Sequence, residues 1–255
     1  MVTNREPLRS SDVPAQTQTD KLCGKHGVPL MHNVIAGIVP ALDYRYSYCP
    51  ICEDEKAAAA REEEARERHA QLVAGIPPHY HGADLSQFDS ALIAPAIAWA
   101  KNPRGFLYVT GDAGVGKTHL ACAVKKSLNE RGIRSQLVFS GEIFVALRTS
   151  YGKKSTDSEA DVVSKCAPDN DRSPAIFDDV GAQKITETVV DTWFNIIDRR
   201  YRADAPTMIT TNLSASEIAG PESLGVRVKS RICSGLFLEL MGKDRRCKEH
   251  WTDRY

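Results

Sequence analysis

The sequence predicts an α/β fold, a parallel sheet flanked by helices on both faces. Three observations predict it. From residue 105 onward, apolar strand-like runs alternate with helical runs, the pattern of a parallel sheet with crossover helices. A glycine-rich turn, Gly111-Asp-Ala-Gly-Val-Gly116-Lys117-Thr118, joins one such strand to one such helix. Further on, an apolar strand, Ala175-Ile-Phe-Asp178-Asp179, ends in two carboxylates. A length of 255 residues suits one large domain with a small appendage, and such a chain buries a sizeable core without disulfides.

Taken in order, residues 1–20 are polar, lack the apolar stretch of a secretory signal and read as a disordered tail. Residues 21–52 carry Cys23, His26, Cys49 and Cys52 in two tight pairs. Residues 53–74 hold seven alanines, seven acids and four lysines or arginines, strong helix formers with few apolar anchors. Glu62 and Glu64 stand four residues before Arg66 and Arg68, the favourable order for surface ion pairs. This segment reads as a solvated linker helix, either a spacer or a docking surface. GIPPHY at 75–80 stops it, and 75–255 form the large domain. There, 90–100 make a short apolar helix. Strands follow at FLYVTG, RSQLVFS, PAIFDDVG and PTMITTN, separated by helices at THLACAVKKSLNERG, GEIFVALRTSY and TETVVDTWFNIIDRRYRA.

Composition narrows the function classes. With 42% hydrophobic and 26% charged residues, the chain is not wholly disordered, collagen-like or membrane-embedded. The longest nearly apolar stretch, Ala91 to Ala100, contains Pro95 and falls short of the ~20 residues a bilayer span needs. Lysine plus arginine equals aspartate plus glutamate at 33 each, so any nucleic-acid surface is a local patch. Seven cysteines without an export signal point to the reducing cytoplasm, where thiols ligate metals or pack in cores.

The glycine-rich turn fits G-x-x-x-x-G-K-[ST], with a strand before it and a helix after it. Across Gly111, Asp112, Ala113, Gly114, Val115 and Gly116, a backbone largely free of side chains can curl around phosphates and aim N–H groups at them. Lys117 supplies a cation to the β- and γ-phosphates of ATP, the Thr118 hydroxyl is placed for Mg2+, and His119 follows in the helix. Asp178 would hold Mg2+ through water, and Asp179 would orient the attacking water. Two acids after a strand otherwise make a turn or a cap. Asn212, after Thr210 and Thr211, is placed to hydrogen-bond the γ-phosphate or the lytic water, or else caps a helix.

GDAGVGKTHLA, IFDDVG, TTN and RVKSRI at 227–232, in this order and spacing, resemble AAA+ ATPases. Within them the likeness is to the DnaC/DnaI/IstB branch of replicative helicase loaders and transposition helpers. GIPPHYHGADLSQF at 75–88 is similar to the lead into their ATPase core, and the resemblance spans residues 70–250. It implies a P-loop AAA+ core with little or no C-terminal lid. It also implies that Arg231 is the arginine finger that completes a neighbouring subunit's site, with Arg227 one helical turn earlier on the same face. Arg246 matches the branch's nucleotide-sensing arginine, with Arg245 adjoining it as the alternative. The competing reading of these arginines is a solvated basic face.

Cys23-x-x-His26 and Cys49-Pro-Ile-Cys52 have the spacing of two chelating turns around a 22-residue loop. Zn2+ takes four tetrahedral N or S ligands, and a short segment with few large apolar groups needs such a staple. His32 is the alternative to His26. The closed site leaves no open position for catalysis, so the zinc is scaffold. The polar connection GKKSTDSEADVVSKCAPDNDRS reads as a functional insertion or as a loop. In the resembled branch this position holds a helical insert that faces single-stranded DNA. That makes Lys153, Lys154 and Lys165 candidates for phosphate contacts and Tyr151 a candidate for base stacking.

The resemblance implies a cytoplasmic, ATP-dependent helicase loader that forms homo-oligomers, binds single-stranded DNA and engages a replicative ring helicase through its N-terminal module, with no membrane partner. The alternatives are an IstB-like transposition helper and a nucleotide-switched adaptor with negligible turnover.

Overall fold

The computed structural model describes residues 17–35, 44–150, 158–168, 171–220 and 223–245. The chain divides into two compact units, Met1–His69 and Ala70–Tyr255.

In the first unit, β1 (Thr17–Leu22), β2 (Pro29–Ile35) and β3 (Tyr44–Tyr48) form an antiparallel sheet in that order. β2 and β3 pair from Met31↔Tyr48 to Ile35↔Tyr44. β1 begins at Thr17, so strand structure reaches into the segment expected to be a tail. The turn between β1 and β2 is closed by the Gly27 N–H donating to the Cys23 carbonyl at 2.8 Å, with Gly27 at a positive φ of 64°. α1 (Pro50–Leu72) starts earlier than the expected linker helix, with proline in its first turn, where no N–H is missed. None of its residues is buried. Ion pairs Arg66–Glu63 and Arg68–Glu64 decorate it, consistent with its alanine- and glutamate-rich sequence.

The second unit holds a five-stranded parallel sheet in the order β5-β6-β7-β4-β8. Its strands are β4 (Phe106–Thr110), β5 (Gln136–Phe139), β6 (Ala175–Asp178), β7 (Thr207–Thr211) and β8 (Leu236–Glu239). β4, β6 and β7 are buried along their whole length, and β4 and Ala175–Phe177 of β6 accordingly read as nearly continuous apolar runs, while β7 buries three threonines. Successive side chains alternate between two cores. Leu107, Val109, Ile176 and Met208 pack with α2 (Ala94–Lys101) and α3 (Lys117–Glu130). Phe106, Tyr108, Phe177 and Ile209 face the other core, with α4 (Ser140–Ser150), α5 (Glu159–Cys166), α6 (Glu187–Arg202) and α7 (Val226–Ile232). α6 buries Val189, Thr192, Trp193, Ile196, Ile197 and Arg200, the i, i+3, i+4 spacing of an amphipathic helix, and Thr186 caps its start.

α5 occupies part of the connection read as an insertion. Ser158 and Asp161 form its capping box, and Val162, Val163 and Cys166 are buried in the core. Lys165 is exposed on this helix, whereas Tyr151, Lys153 and Lys154 lie outside the described residues. Among the described residues, no helix is long and apolar enough to cross a membrane.

Candidate functional site

Strand order builds the nucleotide cleft. β7 lies between β4 and β6, so three strand ends meet: the glycine turn after β4, the carboxylates after β6 and the Thr-Thr-Asn end of β7. Ligands of parallel α/β sheets bind at this carboxyl edge. The resulting cleft has a volume of about 440 Å3 and is lined by Ala113, Gly114, Gly116, Lys117, Thr118, His119, Asp178, Asp179 and Asn212. These residues, far apart in sequence, are thus brought together. Gly111, Asp112 and Val115 complete the turn that carries them.

The turn requires its glycines. Gly114 and Gly116 have φ of 82° and 108°, a region costly for residues with a Cβ. A Cβ on Gly111 would meet the Leu240 carbonyl oxygen at 2.2 Å. α3 begins at Lys117, so the positive end of its dipole faces the cleft. Lys117 is buried, and its Nζ donates to the carbonyl oxygens of Gly111 and Asp112, each at 2.7 Å. The Thr118 hydroxyl donates to Asp178 Oδ2 at 2.8 Å, which joins the two residues expected to hold Mg2+. The Thr210 hydroxyl donates to the other oxygen, Oδ1, at 2.6 Å. Burial pushes the Asp178 carboxyl up, against these two hydroxyls, and Asp179 beside it adds to the rise. Oxygen donors from a hydroxyl and a carboxylate suit Mg2+, a hard cation. Asp179 has a positive φ of 60°, and its N–H donates to the Thr210 hydroxyl at 3.0 Å. A non-glycine residue at positive φ beside a buried carboxylate, lining a cleft, is a locally strained position of the kind that clusters at functional sites.

His79, Tyr80, Phe139, Ser140, Gly141 and Arg245 also line the cleft. Arg245 donates its backbone N–H to the Gly114 carbonyl at 3.0 Å, and its guanidinium lies 4.5 Å from the Phe88 ring centre. Arg245 is therefore at the glycine turn, while Arg246 lies outside the described residues. Burial, then Arg245 and His79, lower the basicity of His119, which is paired with Gln87.

Arg227 and Arg231 line no part of this cleft. Both guanidinium groups stack on Phe194, at 3.5 Å and 4.7 Å from its ring centre, on the surface formed by α6 and α7.

In the first unit, Cys23, His26, Cys49 and Cys52 present their ligand atoms within 4.8 Å of one another. His26 Nδ1 lies 3.8, 3.6 and 3.4 Å from the sulfurs of Cys23, Cys49 and Cys52, and the Cys23 and Cys52 sulfurs are 3.7 Å apart. A tetrahedron with Zn–S of about 2.3 Å and Zn–N of about 2.0 Å has edges of about 3.5–3.8 Å, so these four residues fit zinc. Backbone N–H groups of His26 and Lys25 lower the Cys23 thiol to about 6, whereas burial and the neighbouring Cys23 and Cys49 push Cys52 up to about 11. The alternative ligand, the His32 side chain, lies outside the described residues. Of the remaining cysteines, Cys122 and Cys166 are buried core residues and Cys233 is exposed.

Comparison with known proteins fits this geometry. Residues 83–220, more than half of the chain, match the family described as IstB-like ATP binding protein. The chain belongs to the family of IstB-like ATP-binding proteins. The match begins just after the 3-10 turn Pro78–Tyr80 and runs through the glycine turn, both carboxylates and Asn212.

Relatives of this IstB-like chain include the replicative helicase loader DnaI of Bacillus subtilis (strain 168), 28% identical over 113 residues, or 44% of this chain and 34% of that protein. The insertion sequence IS5376 putative ATP-binding protein of Geobacillus stearothermophilus is 27% identical over 143 residues, 54% of each chain. A crystal structure of DnaI superposes with a TM-score of 0.53 at 26% identity, covering 67% of this chain and 94% of that one. The chain thus matches a third to about half of the length of these two curated relatives.

Proposed function

We propose that this chain is an ATP hydrolase that loads a replicative helicase. ATP would occupy the cleft with its phosphates in the glycine turn, and Thr118 and Asp178 would hold Mg2+. Asp179 would orient the lytic water, and Asn212 would contact the γ-phosphate or that water. An arginine of α7, Arg231 with Arg227 beside it, would complete the site of a neighbouring copy in a homo-oligomer. Residues 21–52 would bind zinc and engage the ring helicase, 53–74 would link, and 75–255 would form the ATPase. Lys165, with Tyr151, Lys153 and Lys154, would contact single-stranded DNA in the cytoplasm.

The observation that carries the reading is the Thr118–Asp178 hydrogen bond, which unites the phosphate turn with a buried carboxylate at one cleft. The likeness to a helicase loader supplies the cellular task. The likeness to an insertion-sequence ATP-binding protein favours a second reading, a helper that assembles on duplex DNA and recruits a transposase. Native mass spectrometry of the chain with ATP, single-stranded DNA and the host's replicative helicase separates them. A stoichiometric complex with the helicase supports the loader. No such complex, with nucleotide-dependent assembly on duplex DNA, supports the helper. ATP-dependent complexes without measurable turnover would leave an adaptor in place of a hydrolase.

A further inference from the structure

The four metal-ligating residues are held by a fifth side chain that the sequence did not point to. Glu55 stands three residues after Cys52 on α1, on the same helical face. Its Oε1 lies 3.2 Å from His26 Nε2, and its Oε2 pairs with Lys25 Nζ at 2.5 Å. Lys25 and His26 belong to the turn that carries Cys23. One carboxylate therefore spans the two halves of the cluster, the turn after β1 and the start of α1.

The ring geometry gives this contact a specific consequence. His26 directs Nδ1 into the space shared by the three sulfurs, so Nδ1 is the nitrogen that would ligate the metal. The proton of the neutral ring then resides on Nε2, where it donates to Glu55 Oε1. A histidine whose second nitrogen donates to a carboxylate is fixed in tautomer and ring orientation and is a stronger ligand.

We propose that Glu55 is a positioning residue for a zinc site built by Cys23, His26, Cys49 and Cys52: it holds the His26 ring with Nδ1 toward the metal and ties the ligand turn to α1. This rests on reading those four residues as a zinc site. It names a residue outside that ligand set which governs how firmly the metal is held.

The test uses the full chain and three variants that separate reach from charge. Glu55→Gln keeps an oxygen acceptor at the same distance and removes the charge. Glu55→Asp keeps the charge and withdraws it from Nε2. Glu55→Ala removes both. Glu55 is about half exposed on a solvated helix, so all three substitutions are compatible with folding. Helix content by circular dichroism and nucleotide binding in the second unit serve as fold controls.

Zinc content, the rate of zinc transfer to the chromophoric chelator 4-(2-pyridylazo)resorcinol and the d–d bands of the cobalt-substituted protein are the readouts. Glu55→Ala and Glu55→Asp should release zinc about 10–100-fold faster than the unaltered chain and shift the cobalt bands, because the imidazole loosens. Glu55→Gln should release zinc more slowly than either, between them and the unaltered chain, because it still accepts from Nε2 but loses the charge paired with Lys25. Equal release from Glu55→Ala and the unaltered chain would overturn the proposal. So would fast release from Glu55→Gln with slow release from Glu55→Asp, which would make the effect one of charge. An unaltered chain that takes up no zinc or cobalt defeats the zinc reading itself, and is recognised before any variant is compared.

Discussion

Arg231 is anchored on Asp198: its Nε and Nη2 both donate to Oδ1 at 2.7 Å, and its Nη1 donates to the Arg227 carbonyl at 2.8 Å. Arg202 takes the other carboxylate oxygen at 2.9 Å. α6 thus holds the guanidinium of α7 at a fixed place on the surface, away from the chain's own phosphate turn. Arg231 lines no part of the chain's own cleft, so the finger role proposed for it would have to act on another copy. Arg231→Ala and Lys117→Ala should each be nearly inactive in ATP turnover, and a mixture of the two should regain part of the activity, increasingly so at higher protein concentration. If the mixture stays inactive although the variants co-assemble, Arg231 is not a finger in trans. Asp198→Ala removes the carboxylate from the partly buried Arg231, while the exposed Arg202 returns to water, and should lower stability in urea by about 1 kcal/mol; an unchanged midpoint would show the anchor to be worth nothing.

Lys117 and Asp179 should separate binding from chemistry. Lys117 is the cation buried at the glycine turn, so Lys117→Ala should abolish ATP binding in a fluorescent-nucleotide titration. Asp179 lines the cleft without closing the turn, so Asp179→Asn should bind ATP normally and lose turnover, by about 100-fold or more for loss of a general base. Normal hydrolysis by Asp179→Asn would put the catalytic carboxylate elsewhere.

Gly114→Ala tests the fit of the turn to the chain beyond β8. Gly114 has a φ of 82°, and an added Cβ would meet the Asp244 carboxylate at 2.0 Å. The substitution should displace the segment around Asp244 and Arg245, weaken ATP binding at least 10-fold and lower the melting temperature by a few degrees, since the positive φ costs an alanine about 1–2 kcal/mol. Wild-type affinity would show that the turn tolerates a side chain there.

The cleft was legible in the sequence because its chemistry is carried by short motifs. Glycines at fixed offsets, Lys117-Thr118 and a carboxylate after an apolar strand each have a local physical reason. Strand order is not local, and only the insertion of β7 between β4 and β6 shows why Thr210 shares Asp178 with Thr118. Arg245 and Tyr80 enter the cleft through packing of distant segments, which leaves no periodic trace. β1 was missed because Thr17–Leu22, TQTDKL, has neither an apolar run nor a clean alternation. β8, no shorter than β5 or β6, was not read as a strand; it is an edge strand that buries only Leu238, and Gly235 before it is required because a Cβ would clash with the Phe106 carbonyl oxygen. Asp198 and Glu55 looked like ordinary acids on helix surfaces, since their roles depend on partners over thirty positions away for Asp198 and twenty-nine for the Glu55–His26 pair.

Zinc dependence should be confined to the first unit. Cys49 is 5% exposed, and its sulfur faces His26 Nδ1 at 3.6 Å. Serine at this position offers a hydroxyl that stays protonated near neutral pH, so Cys49→Ser leaves three ligands where a closed site needs four. The described residues from β1 to the start of α1 include few buried apolar groups to replace the lost bonds, and the fold there should loosen when the metal leaves. The purified chain should contain one zinc. Cys49→Ser should contain little, and limited proteolysis should cut it faster between β1 and α1. A zinc-selective chelator, with Mg2+ kept in excess, should reproduce that cleavage pattern in the unaltered chain. ATP binding should persist in both cases, because every residue of the nucleotide cleft belongs to the second unit. A metal-free chain with the same protease resistance as the zinc-loaded one would show that these four residues do not depend on zinc for their arrangement.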